Sequence, residues 1–314
     1  MNDLFQEAVL ISMFAAAVRI ATPLLFAALG ELITERAGIL NLGVEGTLLM
    51  AAFAGFAGSF WFGNNFIGVL FAMFVGAVMA FLMVFMAATL KVEQVVTGLS
   101  LNLLAAGMSL YLYKTFFQGG EEPYIVVMAT QPIPLLSDIP YIGDILFQQK
   151  LLTYLAFMAV PAVWFLLYRT KWGLEIRALG ENPKVIDTKG MSVSLRQYSA
   201  VILGGVLIGL GGAFITIGSV VRFVPDISAG RGWLALVIVI AGNWRPGGIL
   251  MAALVFAFLD ALQLQIQGVG VAMPYQIFLA LPYVLAIVLM IFKARRGRSE
   301  EPQRLGVPYF RGER

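Results

Sequence analysis

Ala178-Leu179-Gly180-Glu181-Asn182-Pro183 lies at the centre of a polar stretch running from Arg169 to Arg196, in a chain that is otherwise largely apolar. Within that stretch Lys and Arg outnumber Asp and Glu by six to three. On both sides of it, uncharged runs approach or exceed the roughly 20 residues that a helix needs to cross a bilayer. The contrast decides the class: an all-α, polytopic transmembrane helical bundle whose polar loops meet water. A soluble protein with buried helices would need polar faces to cover them, and this chain has none to offer.

Composition supports that reading. Of 314 residues, 60% are hydrophobic and 12% charged, with a mean hydropathy of +0.87, whereas soluble domains carry about 25% charged residues. Cysteine and histidine are both absent. This excludes disulfides, zinc sites, haem ligation by these residues, and Cys or His nucleophile systems. The net charge of +3 does not point to nucleic acid, because the basic residues flank spans, where orientation accounts for them. No Lys or Arg precedes Arg19, so the basic leader region of a cleaved signal peptide is not expected.

Hydropathy predicts spans over 10–33, 39–59, 66–90, 95–117, 149–168, 198–220, 231–243, 247–267 and 274–292. The glycine-rich run from Gly38 to Phe60 contains Asn41 and Glu45, so a discontinuous helix is expected there. Residues 231–243 are short for a crossing and end at Asn243-Trp244-Arg245-Pro246-Gly247-Gly248, a turn signal that allows a half-helix or re-entrant element. The segment 118–148 has four acidic residues and no basic one, while the tail 293–314 has seven Lys or Arg against three Glu. The positive-inside rule therefore places 169–197 and the tail in the cytoplasm and 118–148 outside. Residues 1–292 form a single transmembrane domain in this reading.

Polar residues inside spans are costly unless paired, hydrated or facing a cavity. Glu45 and Asn41 fall four apart, on one face if helical, and with Asn102 and Asp260 they are the candidates for a solute path. The competing assignments are helix-to-helix hydrogen bonding for the amides and, for Glu45, a place near an interface or an ion pair with Arg36. Gln94, Gln263, Gln265 and Gln267 are weaker candidates of the same kind. Phe53, Phe56, Phe60 and Trp61 have faces suited to a planar ring, although packing is the ordinary role of such side chains. Arg222, Asp226 and Arg231 flank Pro225 as helix ends or contacts for an external partner. Gly204, Gly205, Gly209, Gly211 and Gly212 make a helix-packing surface. No phosphate-cradling Gly-x-x-x-x-Gly-Lys-[Ser/Thr] run is present, so ATP hydrolysis is not expected of this chain.

In the central stretch, Glu175 to Leu179 suits a short helix and Asn182-Pro183 restarts a second at Lys184. With Gly190 following, Ala178–Pro183 resembles the coupling segment of membrane permeases in bacterial ATP-binding-cassette importers, in the branch serving branched-chain amino acids, simple sugars and nucleosides. The likeness covers nearly the whole chain, including Ala241-Gly242-Asn243-Trp244-Arg245-Pro246-Gly247-Gly248. The run Leu29-Gly30-Glu31-Leu32-Ile33-Thr34-Glu35-Arg36-Ala37-Gly38-Ile39-Leu40-Asn41-Leu42-Gly43-Val44-Glu45-Gly46 is most similar to nucleoside permeases.

The resemblance implies a nucleoside importer in the bacterial cytoplasmic (inner) membrane. It implies a second homologous permease subunit, a double-cassette cytoplasmic ATPase holding ATP-Mg, and an extracytoplasmic binding lipoprotein. Ala178, Leu179, Gly180, Glu181, Asn182, Pro183 and Gly190 would contact the ATPase, and this chain would need no cofactor. A ten-span plan common among such permeases stands against the nine spans read from hydropathy. A simple-sugar importer is the nearest alternative; an ion-coupled secondary transporter and a non-transporting membrane assembly protein are further ones.

Overall fold

The first helix, α1 (Glu7–Arg36), is 30 residues long, about 45 Å at 1.5 Å per residue, enough to cross a bilayer with a turn or more to spare. In the computed structural model, residues 7–117, 123–268, 280–282, 284–288, 291 and 299–311 are described. They form an all-α, multi-span bundle, with seven helices long and apolar enough to cross a membrane.

After α1 the chain enters α2 (Val44–Phe62), α3 (Asn65–Val84) and α4 (Gln94–Phe117). Then come α5 (Leu151–Arg169), the short α6 (Lys171–Glu181) and α7 (Pro183–Thr188), and α8 (Val193–Ala213). A second short helix, α9 (Arg231–Ala241), precedes α10 (Pro246–Gly268). Two spans run on into wide π-helical turns: α3 into Phe85–Thr89 and α8 into Phe214–Ser219. The bent and broken helices expected from the glycine pattern are therefore present. The expected span over 274–292 lies largely outside the described residues.

One end of the bundle gathers Arg36, the α6–α7 segment, the Asn243–Arg245 turn and residues 299–311, which hydrogen-bond to one another. It is called the basic end here. The opposite end holds residues 123–150, where β1 (Thr130–Pro132) pairs antiparallel with β2 (Gln148–Lys150). There Ile125 N donates to Val221 O and Met128 N to Ile217 O, tying this loop to the end of the α8 extension.

The centre of the bundle is α8. Lipid supplies no hydrophobic drive between helices, so close van der Waals packing must hold them, and small residues permit it. A Cβ on Gly204 would strike Gly30 O of α1, one on Gly209 would strike Ala72 O of α3, and one on Gly212 would lie 2.7 Å from Leu48 O of α2. The packing surface expected from Gly204–Gly212 thus contacts three helices. The aromatic candidates pack in a cluster with other rings: Phe53 lies 5.4 Å from Phe223, and Phe56, fully buried, lies 5.5 Å from Phe117.

Candidate functional site

Between α1 and α2 the chain stops being helical over residues 37–43, and every freed amide there must find a partner inside the bundle. Leu40 N donates to Gln94 Oε1 at 2.7 Å, Asn41 N to Glu31 Oε1 at 3.1 Å, and Gly43 N to Asn41 Oδ1 at 3.0 Å. Asn102 reaches from α4 to close the gap: its Nδ2 donates to Leu42 O at 2.8 Å and its Oδ1 accepts Gly46 N at 2.7 Å. Asn41 and Asn102 therefore hold the break open by replacing its missing helical bonds. Helix α2 consequently starts at Val44, five residues later than the hydropathy edge at 39.

That delayed start places Glu45 against the beginning of α9. Its Oε1 accepts Gly230 N at 2.9 Å and its Oε2 accepts Gly232 N at 2.6 Å. A carboxylate on two amides at a helix N-terminus is doubly favoured, by charge-assisted hydrogen bonds and by the helix dipole. A side chain at position 232 has no room, since its Cβ would fall on the Glu45 backbone. The ion-pair alternative for Glu45 does not hold, because Arg36 lies at the basic end and pairs with Glu300.

Asp260 of α10 stands near Arg231 and lines a cavity of about 210 Å³ together with Gly230, Arg231 and Gln263. Beside it a cavity of about 430 Å³ is lined by Arg19, Lys150 and Arg231 and, among the described residues, by no acidic side chain. Burial, followed by the Arg19 charge, lowers Lys150 below the ordinary lysine range; its ammonium donates to Gly218 O. Glu45 and Asp260 thus approach α9 from α2 and α10, whereas Asn41 and Asn102 belong to the break below them. Hydropathy gave no sign that these three cations would gather, because they lie on α1, β2 and α9, far apart in sequence.

At the basic end, Asn182 closes α6 and opens α7, its Oδ1 accepting Lys184 N at 3.1 Å with Pro183 in the first turn. The short helix, break and second helix follow the expected order, with α6 starting earlier, at Lys171. Leu179, Gly180 and Pro183 are buried, Ala178 is half-buried, and Glu181, Asn182 and Gly190 are exposed. Gly180 lies so close to α1 that a Cβ would meet Arg36 O, and 3.1 Å away it would meet Pro302. The segment therefore turns one edge into the bundle and the other outward.

Beneath it is a polar cluster at the end of α1, built on Glu35 and Arg36. Glu35 Oε2 accepts the Trp244 indole N–H, and Arg36 donates to Trp244 O at 2.6 Å and pairs with Glu300 at 3.2 Å. Asn243 and Trp244 both adopt positive φ, 56° and 52°, a conformation that costs non-glycine residues about 1–2 kcal/mol each. The cluster holds that turn in place. Among the described residues, no three His, Cys, Asp or Glu side chains are grouped to hold a metal.

Comparison with known proteins gives this architecture its family. A family described as "Branched-chain amino acid transport system / permease component" matches residues 13–294. A putative glucose ABC transporter permease protein from Haloferax volcanii is 38% identical, over 93% of this chain and 94% of its own. A nucleoside ABC transporter permease protein from Lactococcus lactis subsp. cremoris is 32% identical, over 93% and 94%. A guanosine ABC transporter permease protein from Bacillus subtilis is also 32% identical, over 94% and 95%. Among solved structures, a putative metal-chelate type ABC transporter in an inward-facing conformation shares the fold. Its TM-score is 0.50 at 14% identity, covering 93% of this chain and 90% of that one. With nearly the whole chain matched and the broken-helix bundle in place, the protein belongs to the branched-chain amino acid transport system permease family, the membrane permease components of ABC importers.

Proposed function

We propose that this permease forms half of the membrane path of an ATP-driven importer for a simple sugar, with its basic end in the cytoplasm. The identity of 38% to a putative glucose permease, against 32% to the nucleoside and guanosine permeases, carries the sugar assignment. A nucleoside cargo is the second reading, favoured by the 29–46 run. Both cargoes present a sugar ring, which suits the polar surroundings of Glu45 and Asp260 at α9. Uptake of radiolabelled glucose by the assembled importer, challenged with excess ribose or guanosine, separates them. Glucose uptake that resists guanosine is expected; uptake of guanosine without glucose uptake would reverse the order.

The remaining parts follow from the same family. A cytoplasmic ATPase would bind and hydrolyse ATP-Mg, a second permease would complete the path, and an extracytoplasmic binding protein would deliver the cargo. This chain is a transport subunit and performs no bond chemistry. The α6–α7 segment suits ATPase contact because its inner edge is anchored while Glu181, Asn182 and Gly190 face outward. ATPase binding would then shift the balance between outward- and inward-open states through that segment. Glu181→Arg is expected to lower ATPase association and uptake while leaving membrane insertion intact. Normal association and uptake in that variant would remove the coupling assignment.

A further inference from the structure

Residues 299–311 lie across the basic end as a strap, touching parts of the molecule that are otherwise far apart in sequence. Glu300 is the first fastening. Its carboxylate pairs with Arg36 at the end of α1 and with Arg245 at the α9–α10 turn, and its N–H donates to Asn243 Oδ1 at 3.1 Å. The hydrogen bond from Arg245 holds the Glu300 carboxyl below the usual carboxylate range. This stabilisation is present at neutral pH and is lost only as pH falls through that lowered value.

The middle of the strap is backbone-locked. Arg304 N donates to Gly180 O at 2.9 Å and Gly306 N to Gly38 O at 3.1 Å. Gly38 has φ +81°, a left-handed conformation that favours glycine, and this turns the helix break toward the strap. Pro302 is buried against Gly180. The far end grips α7: Tyr309 donates to Asp187 Oδ2 at 3.1 Å, and Arg311 lies 3.4 Å from the same oxygen. Phe310 takes Lys91 over its ring at 3.9 Å, adding the loop between α3 and α4.

We propose that this strap is a positioning element for transport, joining the α6–α7 segment to α1 and to the α9–α10 turn so that displacement of α6–α7 is passed to the α9 half-helix. The proposal rests on the reading of α6–α7 as the ATPase contact. The physical argument is connectivity. Helix α6 packs on α1 at Gly180, and the strap adds a second connection that holds Gly180, Asp187, Arg36, Asn243 and Arg245 through one continuous backbone. A motion of α7 therefore pulls on Glu300 through eight intervening residues, Glu301 to Pro308, that are themselves fixed at two points. A loosely attached tail would have contacts to one element only.

Three variants test it in the importer reconstituted with its ATPase, binding protein and transported sugar or nucleoside: Glu300→Gln, Tyr309→Phe, and a chain ending at Arg298. Solute moved per ATP hydrolysed is the readout, beside membrane abundance and ATPase association. Association and hydrolysis are expected to persist, while solute moved per ATP falls by about tenfold for Glu300→Gln, the scale of one charge-assisted hydrogen bond. Tyr309→Phe, which keeps the ring and loses one hydroxyl, is expected to show a smaller fall, and the truncation the largest.

An unchanged ratio with normal uptake would overturn the proposal. So would a parallel fall of abundance, uptake and hydrolysis at constant ratio, which is the mark of a purely structural tail. Loss of ATPase association in the Tyr309→Phe variant would also overturn it, by making the strap part of the docking surface. The underlying coupling reading fails separately. The chain has no native cysteine, so Lys184→Cys gives one defined site, and absence of any cross-link to the ATPase would remove that reading whatever the transport ratio does.

Discussion

Replacing Glu45 by alanine is expected to lower uptake more than about tenfold while leaving the protein in the membrane. The carboxylate accepts Gly230 N and Gly232 N at 2.9 and 2.6 Å. Each hydrogen bond to a charged group contributes about 1.5–3 kcal/mol. Helix α9 has only 11 residues, so losing the fixings at its first turn frees a large share of it. Glu45→Gln keeps one acceptor and is expected to fall between the parent and the alanine variant. Kinetics divide two roles for this side chain. A helix fixing predicts a reduced maximal rate with little change in half-saturating solute, whereas direct solute contact predicts the reverse.

The second large effect is expected at Gly180. In Gly180→Val the new Cβ falls on Arg36 O, an atom of the α1 backbone, and also meets Pro302. Overpacking in a core usually costs about 1–3 kcal/mol through shifts of neighbouring side chains. Here the obstacle is main chain at the end of a 30-residue helix, so the α6–α7 segment must move instead. Uptake is expected to drop by more than about tenfold, with ATP hydrolysis by the bound ATPase no longer rising when solute is delivered. Gly180→Ala shares the clash with a smaller side chain and should follow in weaker form. Wild-type uptake in Gly180→Val would show that α6 does not need its close seat on α1.

Much of this arrangement was legible in the sequence. Long uncharged runs gave the major spans, because lipid demands continuous helix and apolar surface together. The break near Gly38 and the short α9 were also legible, the first from glycines beside Asn41 and Glu45, the second from length and the turn at 243–248. The partners of these polar residues were not. Glu45 meets residues 185 and 187 positions away, and the glycines at 230 and 232 carry no mark of that contact. Glu35 and Arg36 entered only through the 29–46 run and, for Arg36, as an alternative partner of Glu45, although both are nearly fully buried beneath Trp244. The tail read as orienting charge, because its fastenings use backbone amides, the Glu300 carboxylate and the Tyr309 hydroxyl, which hydropathy counts as polar surface.

The glycine contacts of α8 have a consequence for where motion can occur. Where Gly30 meets Gly204, Gly76 meets Gly205 and Ala72 meets Gly209, backbone rests on backbone. Such a seam has no side-chain rotamers to rearrange, so sliding by even a fraction of a turn drives main chain into main chain. The four helices α1, α2, α3 and α8 therefore behave as a chassis. Helices α6, α7 and α9 rest on that chassis through ordinary apolar side chains, Ile176, Leu179, Ile186, Leu234 and Ile238 among them, and through hydrogen bonds that can be exchanged one at a time. A transport cycle that spares the chassis places its hinges at those side-chain contacts, where rotamers and polar partners can exchange with the backbone seam intact.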